Sequence, residues 1–149
     1  MTDTTTSIEL DHFYPHAPEK VWRVLTTPEL IGQWLMQPVG FEPVPGNIFE
    51  MTTRPMPGQG FSGRIRCEVL EAVAPELLRI TWDDVDSDTP TGWVITWVLR
   101  REGTGTRLLF GHSGFDPDSE IVQRARKIMG GGWAAKHERL ESVLASVRL

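Results

Sequence analysis

The chain has 149 residues, of which 40% are hydrophobic and 23% are charged, and its formal net charge at pH 7 is −5. This length and composition predict one globular domain and exclude an intrinsically disordered chain. The 15 Lys and Arg residues are dispersed among 20 Asp and Glu residues, which argues against a surface that follows nucleic-acid phosphates.

The single cysteine, Cys67, excludes an internal disulfide and a cysteine-based zinc site. No cofactor and no metal are expected. The N-terminal "MTDTTTSIEL" has neither a basic start nor an apolar run, so it does not have the character of a signal peptide. No apolar run reaches membrane-spanning length. We therefore expect a cytoplasmic protein without nucleic-acid binding or membrane insertion.

The first elements follow a polar tail, residues 1–6, that we expect to be disordered. In "SIELDHFYP" apolar and polar residues alternate with a period of two, which predicts a strand. The next segment, "APEKVWRVLTTPELIGQWL", has helical spacing that Thr27-Pro28 interrupts. Because proline suits the first position of a helix, two short helices are predicted after the first strand.

Apolar residues recur at every second position between Val39 and Ser113. The runs are "GNIFEMTT", "FSGRIRCEVLE", "LLRITW", "GWVITWVLR" and "TRLLFGHS". Turn-forming segments such as "PVPG", "RPMPGQG" and "EGTG" separate them. Alternation interrupted by turn residues predicts a series of antiparallel strands.

Helical spacing returns from about Asp116 to Val147 and predicts one long helix. Gly130, Gly131 and Gly132 lie within it, although a glycine inside a helix costs about 1 kcal/mol relative to alanine. We interpret them as a bend at which Gly132 approaches the sheet closely, so that Gly132→Leu should destabilise the fold. The alternative is that the glycines separate two helices.

This order of elements predicts an α+β domain over residues 1–149, in which an antiparallel sheet wraps around the long C-terminal helix. Four segments carry a resemblance to a known family: "APEKVWRVLTTPELIGQWL", "GRIRCEVLEAVAPELLRITW", "GTGTRLLFGHSGF" and "GGWAAKHERLESVL". They resemble the signatures of proteins similar to the activator of heat-shock-protein-90 ATPase, a family of the SRPBCC superfamily. That superfamily also contains START lipid-transfer domains, polyketide cyclases and birch-pollen-allergen-like proteins. The resemblance, over roughly residues 8–147, implies a helix-grip fold: a curved sheet that grips the helix, with a cavity between them.

The residues expected to line this cavity are mostly aromatic and apolar. They are Trp34, Phe49, Met51, Phe61, Ile65, Trp82, Trp93, Trp97, Phe110, His112, Met129, Trp133 and His137. Aromatic walls with a few polar groups suit flat apolar ligands. We therefore predict a non-enzymatic domain that binds a small apolar molecule. The alternative is that the same side chains fill a packed core.

Two other functions stay open at this stage. A cyclase-like or hydrolase-like enzyme would need polar groups inside the cavity, and His112, His137, Arg64 and Asp116 are the candidates. Alternation directs only His112 inward. If the two histidines do not form an inward pair, His137 is expected at the solvated edge of the helix. At the position of His137 the resembling family usually has an aliphatic residue. The third hypothesis is an adaptor that binds a chaperone or a regulator.

The acidic segment "WDDVDSDTP" invites a calcium interpretation through Asp84, Asp86 and Asp88. A calcium loop that begins at Asp84 requires glycine at its sixth position and glutamate at its twelfth, where this chain has Thr89 and Ile95. We therefore predict a solvated connection between two strands.

The outer face of the sheet carries an apolar group. If Trp93, Ile95, Trp97 and Leu99 face the helix, then Val94, Val98 and Leu109 face away from it. Exposed sheet faces are normally polar, so we predict that a second copy of the chain covers this patch in a homodimer. The alternative is an ordinary scatter of apolar surface residues.

Overall fold

A computed structural model describes residues 6–54 and 62–147 of the chain. Its strands are β1 (Ser7–Tyr14), β2 (Pro38–Val39), β3 (Ile48–Thr52), β4 (Arg64–Val73), β5 (Leu77–Thr81), β6 (Asp83–Asp84), β7 (Val94–Glu102) and β8 (Gly105–Ser113). Its helices are α1 (Pro18–Thr26), α2 (Pro28–Trp34) and α3 (Glu120–Ser146). The predicted order, a strand, two short helices, a series of strands and one long helix, is confirmed.

The strands form one antiparallel sheet in the order β1-β8-β7-β5-β4-β3-β2, and the short β6 pairs with β4. Alternation decides which side of each strand is buried. In β4, Ile65 and Cys67 are buried whereas Arg64 and Arg66 are exposed. Burial of the apolar side chains drives this choice of face, since a shift by one residue would turn all of them to water. The helices lie against the inner face.

Helices α1 and α2 begin where the sequence predicts, and α3 begins at Glu120, a few residues after the predicted Asp116. Pro18 and Pro28 occupy first-turn positions of α1 and α2, although the Thr27 side chain makes no capping hydrogen bond. Ser119 caps α3 by accepting a hydrogen bond from the backbone N–H of Val122 at 3.2 Å. The five buried residues of α3 all lie from Trp133 onward: Trp133, His137, Leu140, Val143 and Leu144. The second half of α3 therefore supplies most of the contact with the core, and the fold is helix-grip-like.

The glycines of α3 correct one expectation. The helix runs without interruption through Gly130, Gly131 and Gly132, so they do not separate two helices. A Cβ atom added at Gly132 would meet only the Lys136 amine, at an ordinary 3.7 Å, and added at Gly130 or Gly131 it would meet nothing within 4 Å. The close approach to the sheet predicted for Gly132 is therefore wrong, and with it the reason for expecting Gly132→Leu to overpack the fold.

Gly114 is a glycine that the backbone does require. Its φ is +99°, in a region that side chains with a Cβ rarely adopt, and an added Cβ would lie 2.5 Å from the Gly92 carbonyl oxygen. The residue that follows this turn, Phe115, is buried in the core against His112. The chain therefore needs glycine here to place an aromatic residue next to His112.

We expect Gly114→Ala to lower the free energy of unfolding by roughly 1–3 kcal/mol, because it combines backbone strain with a steric clash. Gly111→Ala is the matched control, since Gly111 lies in β8 shortly before Gly114, has no positive φ and has open space around its added Cβ. Urea denaturation of both variants measures the difference. Equal stabilities would show that the turn accommodates a side chain.

Candidate functional site

Trp133 lies at the centre of a buried network of indoles and imidazoles. Its Nε1–H donates to Nδ1 of His112 at 3.0 Å, and its backbone carbonyl accepts from Nδ1 of His137 at 2.7 Å. The indole of Trp97 donates to Nε2 of His137 at 3.2 Å. Strands β7 and β8 supply Trp97 and His112, and α3 supplies the other two residues. The network therefore joins the helix to two neighbouring inner strands of the sheet.

The indoles determine the tautomers of both imidazoles, because an indole N–H can only donate. Nε2 of His137 must accept from Trp97, so the hydrogen of this ring is on Nδ1, and both nitrogens are used. Nδ1 of His112 must accept from Trp133, so this ring carries its hydrogen on Nε2. That N–H is buried and has no hydrogen-bond partner among residues 6–54 and 62–147. An unpaired buried donor costs about 1–3 kcal/mol.

Aromatic rings enclose the network. His112 lies with its ring centroid 5.0 Å from that of Trp93 and 4.4 Å from that of Phe115. Phe110 lies 4.7 Å from both Trp133 and His137. Trp82 and Trp34 extend the cluster, at 5.3 Å from Trp133 and 6.1 Å from His137 respectively. Most of the surface around the two histidines is consequently apolar.

Burial keeps both histidines uncharged. It lowers the pKa of His112 from 6.5 to about 3, with no other cause. It also lowers the pKa of His137 to about 4, against the opposing hydrogen bond to the Trp133 carbonyl. Both imidazoles are neutral at physiological pH, in agreement with the tautomers that the indole donors require.

Three residues of this region were not among the predicted cavity residues. Tyr14 donates from its hydroxyl to the backbone carbonyl of His137 at 3.0 Å. The ring of His12 stacks on that of His137 at 5.5 Å, and Nε2 of His12 is buried without a partner among the described residues. Alternation along β1 was the available signal for both. For Phe115 the signal was the preceding Gly114. A glycine indicates a sharp turn only when its φ is known, and the sequence does not give φ.

The predicted cavity residues divide into three groups. Eight belong to the aromatic network: Trp34, Trp82, Trp93, Trp97, Phe110, His112, Trp133 and His137. Phe49, Met51, Ile65 and Met129 lie in or against the same hydrophobic core, with Phe49 packed on Phe41 at 4.9 Å. Phe61 lies outside the described residues. The role of these residues in lining a ligand cavity stays a prediction.

The four polar candidates for catalysis do not meet. Arg64 is exposed and pairs with Glu50 at 3.1 Å, and Asp116 is also exposed. His112 and His137 are fully buried, so the expectation that His137 lies at a solvated helix edge is wrong. The imidazole hydrogen bonds of both histidines within residues 6–54 and 62–147 go to Trp97 and Trp133, and none goes to a carboxylate. Within the described ranges no cluster of His, Cys, Asp or Glu could hold a metal ion.

The acidic segment after β5 is a connection, as predicted, and also forms the short strand β6. The Asp84 carboxylate accepts from the backbone N–H and hydroxyl of Ser62 and from the backbone N–H of Asp86. The Asp84 oxygens are therefore used in hydrogen bonds within the chain. Apart from residues 1–5, 55–61 and 148–149, which are not described, no helix is long and apolar enough to cross a membrane.

The family described as Activator of Hsp90 ATPase homolog 1-like protein matches residues 15–145. The chain belongs to this family. A search of curated proteins gave no match.

Solved structures of similar proteins support the family's fold over nearly the whole chain. Protein MLL2253 from Mesorhizobium loti is 32% identical, with a TM-score of 0.79 over 96% of this chain and 99% of that one. Protein BH1534 from Bacillus halodurans is 25% identical, with a TM-score of 0.73 over 93% and 96%. An Aha1 dimer from Colwellia psychrerythraea is 18% identical, with a TM-score of 0.74 over 93% and 95%, and this likeness shows the fold alone.

Acid should destabilise this member of the family through the buried histidines. Their pKa values in the folded protein lie below 6.5, so the unfolded chain binds more protons between about pH 6.5 and pH 4. Stability is therefore complete above this window and is lost as the pH falls, by about 1.4 kcal/mol per pH unit and histidine. Between pH 7.5 and 5.5 we expect a loss of roughly 2–3 kcal/mol in urea denaturation.

The control is His112→Asn, which removes one of the two buried histidines and should remove about half of their joint contribution to this pH dependence. A wild-type protein whose unfolding free energy is the same at both pH values would contradict the neutral, buried state of the histidines.

Proposed function

We propose that the chain is a non-enzymatic binding domain for a small, flat and largely apolar molecule, held between the sheet and α3 in the cytoplasm. The observation that carries the proposal is the aromatic network around His112 and His137, in which buried polar atoms are left unused. Ligand sites combine such apolar walls with a small number of polar groups. The family resemblance supports the location, because helix-grip proteins bind ligands between sheet and helix.

The packing of α3 supports a route into this site. None of residues 120–132 is fully buried, whereas Trp133 and the turns after it are anchored in the core. Gly130 and Gly131 join the two halves, and neither has a neighbour that would exclude a side chain. Glycines reduce helix stability without a steric need here, so we propose that they let the first half of α3 move away from the sheet.

An enzymatic role receives less support from the same geometry. General bases work best with a pKa near the operating pH, and those of His112 and His137 are lowered to about 3 and about 4. Arg64 and Asp116 lie at the surface. The adaptor hypothesis has no described feature that favours it over ligand binding.

Calorimetric titration with planar apolar probes, for example 2-ethylnaphthalene and phenanthrene, tests the proposal. We expect saturable binding of one molecule per chain with a Kd of roughly 10–100 μM, as ligands of this size allow. Gly130→Ala with Gly131→Ala should raise the unfolding free energy by roughly 1–2 kcal/mol and slow probe association in stopped-flow measurements.

Ala135→Gly is the matched control for the glycine variants, because Ala135 is exposed on the anchored half of α3. It should lower stability by about 1 kcal/mol and leave the association rate unchanged. Absence of saturable binding by every probe would contradict the proposed function. Unchanged association in the double alanine variant would contradict the route.

We also propose that the chain forms a homodimer through the outer face of the sheet. The support is an apolar stripe, called here the outer stripe, that crosses four neighbouring strands: Val73 on β4, Leu77 on β5, Val98 on β7 and Leu109 on β8. These residues are paired in register, so their side chains form a row on one face. In a dimer with two-fold symmetry, the same patch on each chain would face its own copy.

The patch predicted from sequence is only partly exposed, and a groove adjoins it. Val94, Val98 and Leu109 are half-buried within one chain, and Val73 at the end of the outer stripe is 50% exposed. A groove of about 590 Å³ borders the stripe at Val98, between Pro18 of α1 and Pro75. It offers room for a side chain of a second copy. The Aha1 relative from Colwellia psychrerythraea is described as a dimer.

Charges in the outer stripe should separate such a dimer. Val98→Lys with Leu109→Lys is expected to yield monomers in light scattering, since both lysines would lie in the interface and outside the core. Val39→Lys with Ile48→Lys is the control, because both residues are exposed at the other end of the sheet. A monomeric wild type at high concentration refutes the dimer, and so does a stripe variant that remains dimeric.

A further inference from the structure

The free N–H of His112 is the polar group on which the chemistry of the interior site depends. Trp133 occupies Nδ1, so the hydrogen of the neutral ring is on Nε2. No atom in the described part of the chain accepts this hydrogen, although His112 is fully buried. Buried donors are nearly always paired in folded proteins. A donor left over at the centre of an aromatic cluster therefore requires a specific cause.

The neighbours of His112 do not supply an acceptor. The nearest rings are Phe115, tilted by 32°, and Trp93, which meets the imidazole nearly edge-on at 68°. A buried water needs two to four polar partners. The Phe115 ring has no polar atom, and the Trp93 ring has one, its indole N–H. A contact between the N–H and a ring face is weak. These surroundings leave a hydrogen-bond acceptor from outside the chain as the best partner.

We infer that His112 Nε2–H is the polar anchor of the interior site, and that the molecule bound there presents an uncharged acceptor, such as a ketone or ester oxygen, on its flat apolar body. This inference rests on the proposed function. We infer an uncharged acceptor because the rings that pack on His112, those of Trp93, Phe115 and Trp133, carry no positive charge, and the Lys136 amine lies on the Trp133 ring, 5.9 Å from its centroid. A buried anion without a counter-charge is strongly unfavourable.

His137 provides an internal contrast. It is also neutral and fully buried, but Trp97 and the Trp133 carbonyl use both of its nitrogens. It therefore has no hydrogen bond to offer a ligand without breaking one that holds the fold. The two histidines divide the roles, with His137 holding helix to sheet and His112 binding the ligand.

Two probes of nearly equal size and shape test the anchor, 2-acetylnaphthalene and 2-ethylnaphthalene, which differ in the carbonyl oxygen. In calorimetric titration we expect the wild type to bind the ketone roughly tenfold more tightly than the hydrocarbon, as one net hydrogen bond allows. His112→Asn keeps an acceptor near Nδ1 for Trp133 but loses the donor at Nε2, so it should bind both probes equally. His112→Gln keeps a donor near Nε2 and should retain a preference for the ketone.

Nitrogen-15 NMR of the wild type provides a measurement that does not depend on the folding of a variant. The Nε2-bound hydrogen of His112 should shift downfield with 2-acetylnaphthalene and not with 2-ethylnaphthalene. If both probes bind with equal affinity and neither shifts this signal, the anchor is refuted while the proposed function stands. If neither these probes nor phenanthrene binds, the proposed function fails and this inference fails with it.

Discussion

The burial of Trp133 is the constraint on which the rest of the structure depends. An indole at the centre of a sheet-and-helix core needs an acceptor for its N–H, and His112 on β8 provides one. The Trp133 carbonyl in turn orients His137, which accepts from Trp97 on β7. Since each histidine must stay neutral to accept, the hydrogen bonds and the low dielectric reinforce one another. The position of α3 across the sheet follows from these few atoms.

This anchoring accounts for the unequal halves of α3. From Trp133 to Leu144 the helix contributes its fully buried residues, whereas residues 120–132 contribute none. A helix fixed at one half can accept glycines at the boundary, since the network and not local propensity determines its place. Gly130 and Gly131 would be a defect in a helix held along its whole length. Here they coincide with the point where firm contact with the core ends.

The sequence predicts the scaffold better than the site, for a physical reason. Alternation and turn residues are local signals, and they correctly assign the six longer strands and the inner faces of β4, β7 and β8. The strands β2 and β6 were not predicted, because two residues are too few to show a period. The environment of His137 depends on Trp97, 40 residues away, so helical spacing alone could not tell a buried partner from a solvated edge. The glycines were misread for the same reason, because open space in front of a residue is a property of the packed chain. Phe115 was missed because a sharp turn, and not a period, directs it inward.

The protonation state of His112 and His137 helps to distinguish binding from catalysis in this fold. A fold shared by binders, carriers and enzymes does not decide among them, and only the site can. An imidazole that serves as a general base must gain a proton during the reaction, yet burial makes that gain unfavourable for both His112 and His137. A neutral imidazole can still donate one directed hydrogen bond at no electrostatic cost. The proposed recognition of an uncharged molecule needs only the hydrogen-bond donor of a neutral imidazole. Proton transfer would need an imidazole that accepts a proton, and burial disfavours that step.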